Sequence, residues 1–176
     1  MTFTPDKDVN FLKRIFMHHL NRIYNGKCFL RDHAQHLEES ASFKGLQLAL
    51  DEFTTDVKKQ IQRMEEIYAL VKEKPAPESC NPIRNIVKDE FCIDTNQDLP
   101  VLNDLDIMLY VQILEHINLT SYRMLIMLSK LLQYNDVTQL LTENLDESTD
   151  NDQLFVLIAK EYITKDQEIL KKQSRT

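Results

Sequence analysis

Glycine is nearly absent: Gly26 and Gly45 are the only two in 176 residues. Sheets need frequent turns, and turns draw on glycine's conformational freedom, so this scarcity argues against all-β and doubly wound folds. Two glycines also cannot build a GxGxxG loop or a P-loop, which removes the common nucleotide-phosphate cradles. Cysteine is sparse and odd in number. Cys28, Cys80 and Cys92 form no CxxC pair, so reduced thiols in a reducing, cytoplasmic compartment are expected rather than a disulfide framework. Positive charge is in deficit, with 21 Lys and Arg against 28 Asp and Glu, a net charge of −7. The Lys58–Lys59 and Lys171–Lys172 pairs are too short to make a basic track, so nucleic acid is not an expected partner. Long apolar runs are missing as well. The strongest, Ile107 to Leu119, carries Gln112, Glu115, His116 and Asn118, and reads as a core helix rather than a membrane span. No basic segment leads into an apolar one near Met1, so a signal peptide is not expected.

What remains is apolar residues at helical spacing. A first helix is predicted over about 8–41, with Leu12, Phe16, Leu20, Ile23 and Leu30 on its buried stripe. A second spans about 43–74 and stops at Pro75 and Pro77, because proline cannot donate to the helix ladder. The boundary between them is marked only by Ser42 and Gly45, and a tight antiparallel hairpin is expected there. Ser79 is the expected cap of a short helix over about 80–91, with Pro82 in its first turn. A third long helix, about 101–132, is apolar on nearly every face and belongs at a bundle centre. A fourth region starts near Asn135 and is expected to break at Asp146–Asp152, where Asp150 and Gln153 resemble a capping box. It resumes over about 153–171. The whole reads as one all-α domain, 1–176, with 1–7 and 172–176 frayed.

Three polar residues stand where the stripes demand apolar ones. Lys27 lies on the Ile23–Leu30–Ala34 stripe, Glu115 is the only acid between Ile107 and Tyr122, and Asp56 lies about one turn from Phe53 and from Gln60. Buried charges pair or bind metal, and carboxylates from several helices converging in a bundle are how di-metal sites are built. Lys27 is expected to pair with Asp56 or Glu115 across the bundle, although an isolated lysine can also snorkel to the surface. His33 and His36, at i and i+3, lack neighbouring carboxylates or cysteines in the same segment and read as surface histidines, as do His18 and His19. His116 points about a quarter-turn away from Glu115. No nucleophile–base arrangement stands out, and the cysteines read as small buried hydrophobes.

Several segments resemble the bacterial stress proteins of the YciE/YciF type. Gln112-Ile-Leu-Glu-His116 followed by Tyr122 is similar to that family's Gln-x-Val-Glu-His segment and downstream tyrosine. Leu140-Leu-Thr-Glu-Asn-Leu-Asp-Glu147, Ile23-Tyr24, Arg63-Met-Glu-Glu-Ile-Tyr68 and Cys80 resemble further family positions, in register from about Leu20 to Asp89. The resemblance implies a ferritin-like antiparallel long-helix bundle with an extra short helix between its two hairpins. It also implies homodimers and a di-metal centre of iron or manganese. The departures fall on that centre. Lys27 takes the place of a glutamate, Phe53 of a histidine, Asp56 and Asp89 of glutamates and Asn118 of a glutamate. Glu115 and Glu147 are kept, and Ser148 follows where an acid is expected. The cluster Lys27, Phe53, Asp56, Gln60, Asp89, Glu115, Asn118 and Glu147 therefore reads as a degenerate site, with no catalytic residue and no cofactor expected. Three functions follow as expectations: a non-enzymatic, stress-associated protein that kept the fold; a metal-binding or di-iron-type oxidoreductase with an altered site; or a helical interaction module.

Overall fold

The computed structural model describes residues 5–78, 80–94, 96 and 99–173; helices joined by short connections make up most of these, with no strand among them. The elements are α1 (Pro5–His33), α2 (Gln35–Ser40), α3 (Lys44–Val71), α4 (Pro82–Lys88), a 3-10 turn (Glu90–Cys92), α5 (Pro100–Leu131) and α6 (Asn135–Gln173). Helix thus extends into both terminal segments expected to fray. At 1.5 Å per residue, α5 is about 48 Å long.

Contacts between numbered residues fix the topology. Tyr24 and Asn21 of α1 bond Glu65 and Tyr68 of α3, so the two run antiparallel. Gln60 and Arg63 of α3 meet Ser148 and Glu147 of α6 in the opposite sense. His116 and Ser129 of α5 face Asp152 and Thr138 of α6. Lys27 of α1 lies over Tyr122 of α5, while Phe16 meets Tyr134 just beyond the end of α5. Each long helix therefore has two antiparallel neighbours, and α3 and α5 stand on a diagonal, parallel to each other. A parallel diagonal pair cannot be joined by a tight turn, and α4 with the 3-10 turn fills the long crossover.

Local chemistry sets the ends. At the end of α3, Lys72 adopts a left-handed φ of 56° and the Glu73 amide bonds back to the Tyr68 carbonyl. Asn81 caps α4, its side chain accepting from the Ile83 and Arg84 amides. The expected cap, Ser79, lies outside the described residues, and the helix starts at Pro82 rather than at Cys80. The same Asn81 donates to the Arg22 carbonyl at 2.7 Å. That approach requires Gly26, since a Cβ there would sit 2.8 Å from Asn81 Oδ1.

Two sequence expectations are corrected. The helix predicted over 8–41 is interrupted after His33. Its continuation is the short α2, whose end turns back through Ser42 and Phe43. Buried Asp104 of α5 holds that turn: its carboxylate accepts from the Ser42 amide at 2.7 Å, the Ser42 hydroxyl at 2.6 Å and the Phe43 amide at 3.1 Å. The break expected at Asp146–Asp152 does not occur, and α6 is continuous for 39 residues. Asn144, Ser148 and Asn151 are buried on one face of α6 beside Leu141 and Phe155, so the polar run faces a polar interior instead of a turn.

Candidate functional site

A group of polar side chains is buried at mid-bundle, and every long helix contributes. Lys27 comes from α1, Gln60 from α3, Glu115, Asn118 and Tyr122 from α5, and Asn144 and Ser148 from α6; all are 0% exposed. Amphipathic periodicity places them there. Each replaces an apolar residue on a core-facing stripe, and Phe53 with Phe155 closes one side as an edge-to-face pair at 5.9 Å.

Hydrogen bonds link most of the group. The Tyr122 hydroxyl donates to Gln60 Oε1 at 3.2 Å, and Gln60 Nε2 reaches Ser148 Oγ at 3.5 Å. Asn118 Nδ2 donates to Glu115 Oε2 at 3.1 Å. Lys27 Nζ makes no direct ion pair. It lies 5.9 Å from the centroid of the Tyr122 ring, in the range of a cation–π contact.

Burial dominates the electrostatics. It pushes the Lys27 ammonium below its ordinary range, opposed first by the negative charge of Glu115 and then by Glu147 and Asp56. Burial likewise pushes the Glu115 carboxyl upward, opposed by Lys27 and by hydrogen bonds from Ser148 and Asn118. Tyr122 is raised well above the usual phenol range by burial, then by Glu115 and Glu147. Lys27 and Glu115 thus share one buried compartment, each favouring the other's charged form.

The expected direct pairing of Lys27 with Asp56 or Glu115 is thus not made. Asp56 instead meets Lys59 at 2.9 Å, three residues along its own helix. Glu147 sits at the rim, held by the Arg63 guanidinium through two bonds of 2.8 and 2.7 Å. Asp89 is exposed at the end of α4 and does not join the buried group. Phe53 is a core residue. His116 is exposed and 3.4 Å from Asp152. His18 and His19 are edge-on neighbours, His33 stacks on Phe29, and the His36 side chain lies outside the described residues. Asn144 and the nearby buried Asn151 were not singled out by the sequence, and Ser148 was marked only by the family resemblance. Their i, i+4, i+7 spacing is the signal that would have found them.

This donor set does not fit two divalent cations. One fully buried carboxylate, three amides, a hydroxyl and a phenol surround an ammonium-bearing side chain. Among the described residues no three His, Cys, Asp or Glu side chains are placed to hold a metal ion. Iron or manganese requires anionic oxygens or neutral imidazoles, and a neighbouring ammonium opposes them.

A family model described as a domain of unknown function, DUF892, matches residues 12–168. The chain belongs to this family. The E. coli stress protein YciF superposes with a TM-score of 0.80 at 22% identity, covering 88% of this chain and 98% of that one. YcfI from Rhodopseudomonas palustris gives 0.77 at 22% identity, covering 88% and 97%. At this identity the likeness fixes the fold: the DUF892 chain shares the all-α bundle of YciF, in keeping with the YciE/YciF-type motifs. No curated protein matches the sequence. No helix among the described residues is long and apolar enough to cross a membrane.

Proposed function

We propose that this DUF892 chain is a non-enzymatic, cytoplasmic, stress-associated protein of ferritin-like architecture, in which the Lys27 ammonium stands where a relative's cation would. The complete burial of Lys27 among anionic groups of three other helices carries the reading. Glu115, Glu147 and Asp56 all draw on its charge. A fixed internal cation keeps the bundle's carboxylates balanced without a cofactor, and it leaves no open coordination position for chemistry. YciF is described as a stress protein, which supplies the physiological class. Cys28 and Cys80 are free thiols, consistent with a reducing compartment. Elemental analysis of protein purified from iron- and manganese-supplemented cells is the test. Well under one equivalent of either metal is expected. A stoichiometric content of iron or manganese would return the altered-oxidoreductase reading.

A second feature supports self-association. The outward face of α5 carries Leu102, Leu109, Ile113, Met127 and Leu131, 37–66% exposed, along its whole length. These residues repeat at helical spacing in two apolar patches, Leu102–Ile113 and Met127–Leu131, separated by exposed His116 and Thr120, and exposed apolar patches mark interfaces. The face is self-complementary under a two-fold axis, so the occupant it suits is the same face of a second copy. That face supports a homodimer as the assembly.

A further inference from the structure

Around Lys27, four buried atoms have no hydrogen-bond partner among the described residues. They are Lys27 Nζ on α1, Glu115 Oε1 and Asn118 Oδ1 on α5, and Asn151 Nδ2 on α6. None of these four residues is more than 2% exposed. Leaving a buried polar atom unpaired is costly, and a charged one more so. Native interiors pair such atoms with protein groups or with ordered water.

The helices bring these atoms to one level of the bundle. Asn118 Nδ2 donates to Glu115 Oε2 at 3.1 Å, so the two unpartnered oxygens sit on side chains already in contact. On antiparallel α6, Asp152 meets His116 at 3.4 Å, which sets the adjacent Asn151 level with the same turn of α5. Lys27 Nζ lies 5.9 Å from the ring centroid of Tyr122, one turn beyond Asn118. Glu115 is the anion that acts on Lys27 most strongly, yet Nζ reaches no acceptor. Ser148 also eases the Glu115 charge but makes no hydrogen bond to Oε1.

The chemistry of the four atoms identifies what joins them. An ammonium and an amide N–H only donate; a carboxylate oxygen and an amide oxygen only accept. A chloride ion would accept from Lys27 and Asn151 but meet the Glu115 charge. A metal ion or a free ammonium would suit the two oxygens but meet the Lys27 charge. Water donates twice and accepts twice, so a single molecule answers all four, and buried waters make about two to four such bonds. We propose that one ordered internal water is a fixed component of this compartment, accepting from Lys27 Nζ and Asn151 Nδ2 and donating to Glu115 Oε1 and Asn118 Oδ1. The water links ammonium to carboxylate where the two side chains do not touch. This rests on the reading of Lys27 as an internal cation and supplies the ligand through which that cation is held.

A high-resolution crystal structure of the full chain, with data also collected at the iron and manganese edges, is the first test. A water oxygen is expected at about 2.7–3.2 Å from both Lys27 Nζ and Glu115 Oε1. Oxygen-17 relaxation dispersion, which counts long-lived internal waters in solution, is the second. The Lys27→Met/Glu115→Leu double variant exchanges the buried charges for apolar side chains, a change that bundles often tolerate. Its dispersion amplitude should fall by one water relative to the wild-type chain, with folding checked by circular dichroism. If the double variant fails to fold, the crystal structure decides alone. A direct Lys27–Glu115 ion pair with no water between them overturns the water and leaves the internal cation standing. Unchanged dispersion in the folded double variant also overturns the water. An anomalous peak at the site overturns both the water and the cation reading on which it rests.

Discussion

Replacing Lys27 by methionine keeps the length of the side chain and deletes its charge. The partner left behind is Glu115, fully buried and already pushed above its ordinary value of 4.5 by burial, with Lys27 the largest influence holding it down. Without Lys27, the carboxyl must take up a proton to stay buried. Binding a proton at pH 7 to a group with an unfolded value near 4.5 costs about 1.36 kcal/mol per pH unit, or about 3.4 kcal/mol in all. Removing one partner of a buried pair costs about 3–5 kcal/mol by a separate route, so the two agree. The sign of the pH dependence follows. A carboxyl whose folded pKa is raised holds its proton in the native state alone above pH 4.5, so stability falls as pH rises through that window. The Lys27→Met deficit should therefore be about 3 kcal/mol at pH 7 and shrink to about 1 kcal/mol or less near pH 4.5, the residue being the packing change. Glu115→Gln should behave oppositely. It leaves Lys27, whose folded pKa is lowered, without its main partner, so that deficit grows as pH falls below 10.5, the ordinary lysine value. Urea unfolding followed by circular dichroism at several pH values reads both variants. Equal deficits at pH 4.5 and 7 for Lys27→Met would refute the coupled pair, and so would a deficit under about 1 kcal/mol at pH 7.

Other perturbations test neighbouring parts of the argument. Asp104→Ala removes three part-buried hydrogen bonds from the α2–α3 turn, so a loss of about 1–3 kcal/mol is expected in thermal or urea unfolding. A loss below about 0.5 kcal/mol would mean the turn holds itself. Arg63→Ala breaks the bridges to Glu143 and Glu147, which are partly exposed. Screening limits that loss to about 1 kcal/mol, and about 1 M salt should erase much of it. Leu109→Glu on the α5 face should shift a dimer to monomer in sedimentation at micromolar protein without changing the helical signal. A wild-type chain that is monomeric throughout would remove the homodimer.

The sequence made the bundle legible because a buried face repeats over seven or more turns in each long helix. A period counted that many times outweighs any single exception. Prolines helped: Pro75 and Pro77 lie just beyond the end of α3 at Val71, and Pro82 and Pro100 open α4 and α5. Two features resisted for different reasons. The interruption after His33 carries neither glycine nor proline, and Asp104, 62 residues away from Ser42, holds the turn that follows it. The polar run in α6 carries a capping-box pattern, Asp150 with Gln153, yet the helix continues through it. Composition says that Asn144, Ser148 and Asn151 are polar, but only their period says which way they face. The candidate site divides along the same line. Stripe positions pointed to Lys27, Asp56 and Glu115, all of which are buried, while Asn118 was marked only by the family resemblance. Which charge answers which was not legible, because that is a contest between partners. Lys59, at i+3 on the same helix, claims Asp56, and Arg63 claims Glu147, both near enough to the surface to keep some water. Asp89 leaves the contest by its exposure. Glu115 is then the one carboxylate, among the described residues, that shares the fully buried compartment of Lys27. With the other anions engaged at the rim, proton balance inside the bundle reduces to these two side chains, and that is why their two variants should carry opposite pH slopes.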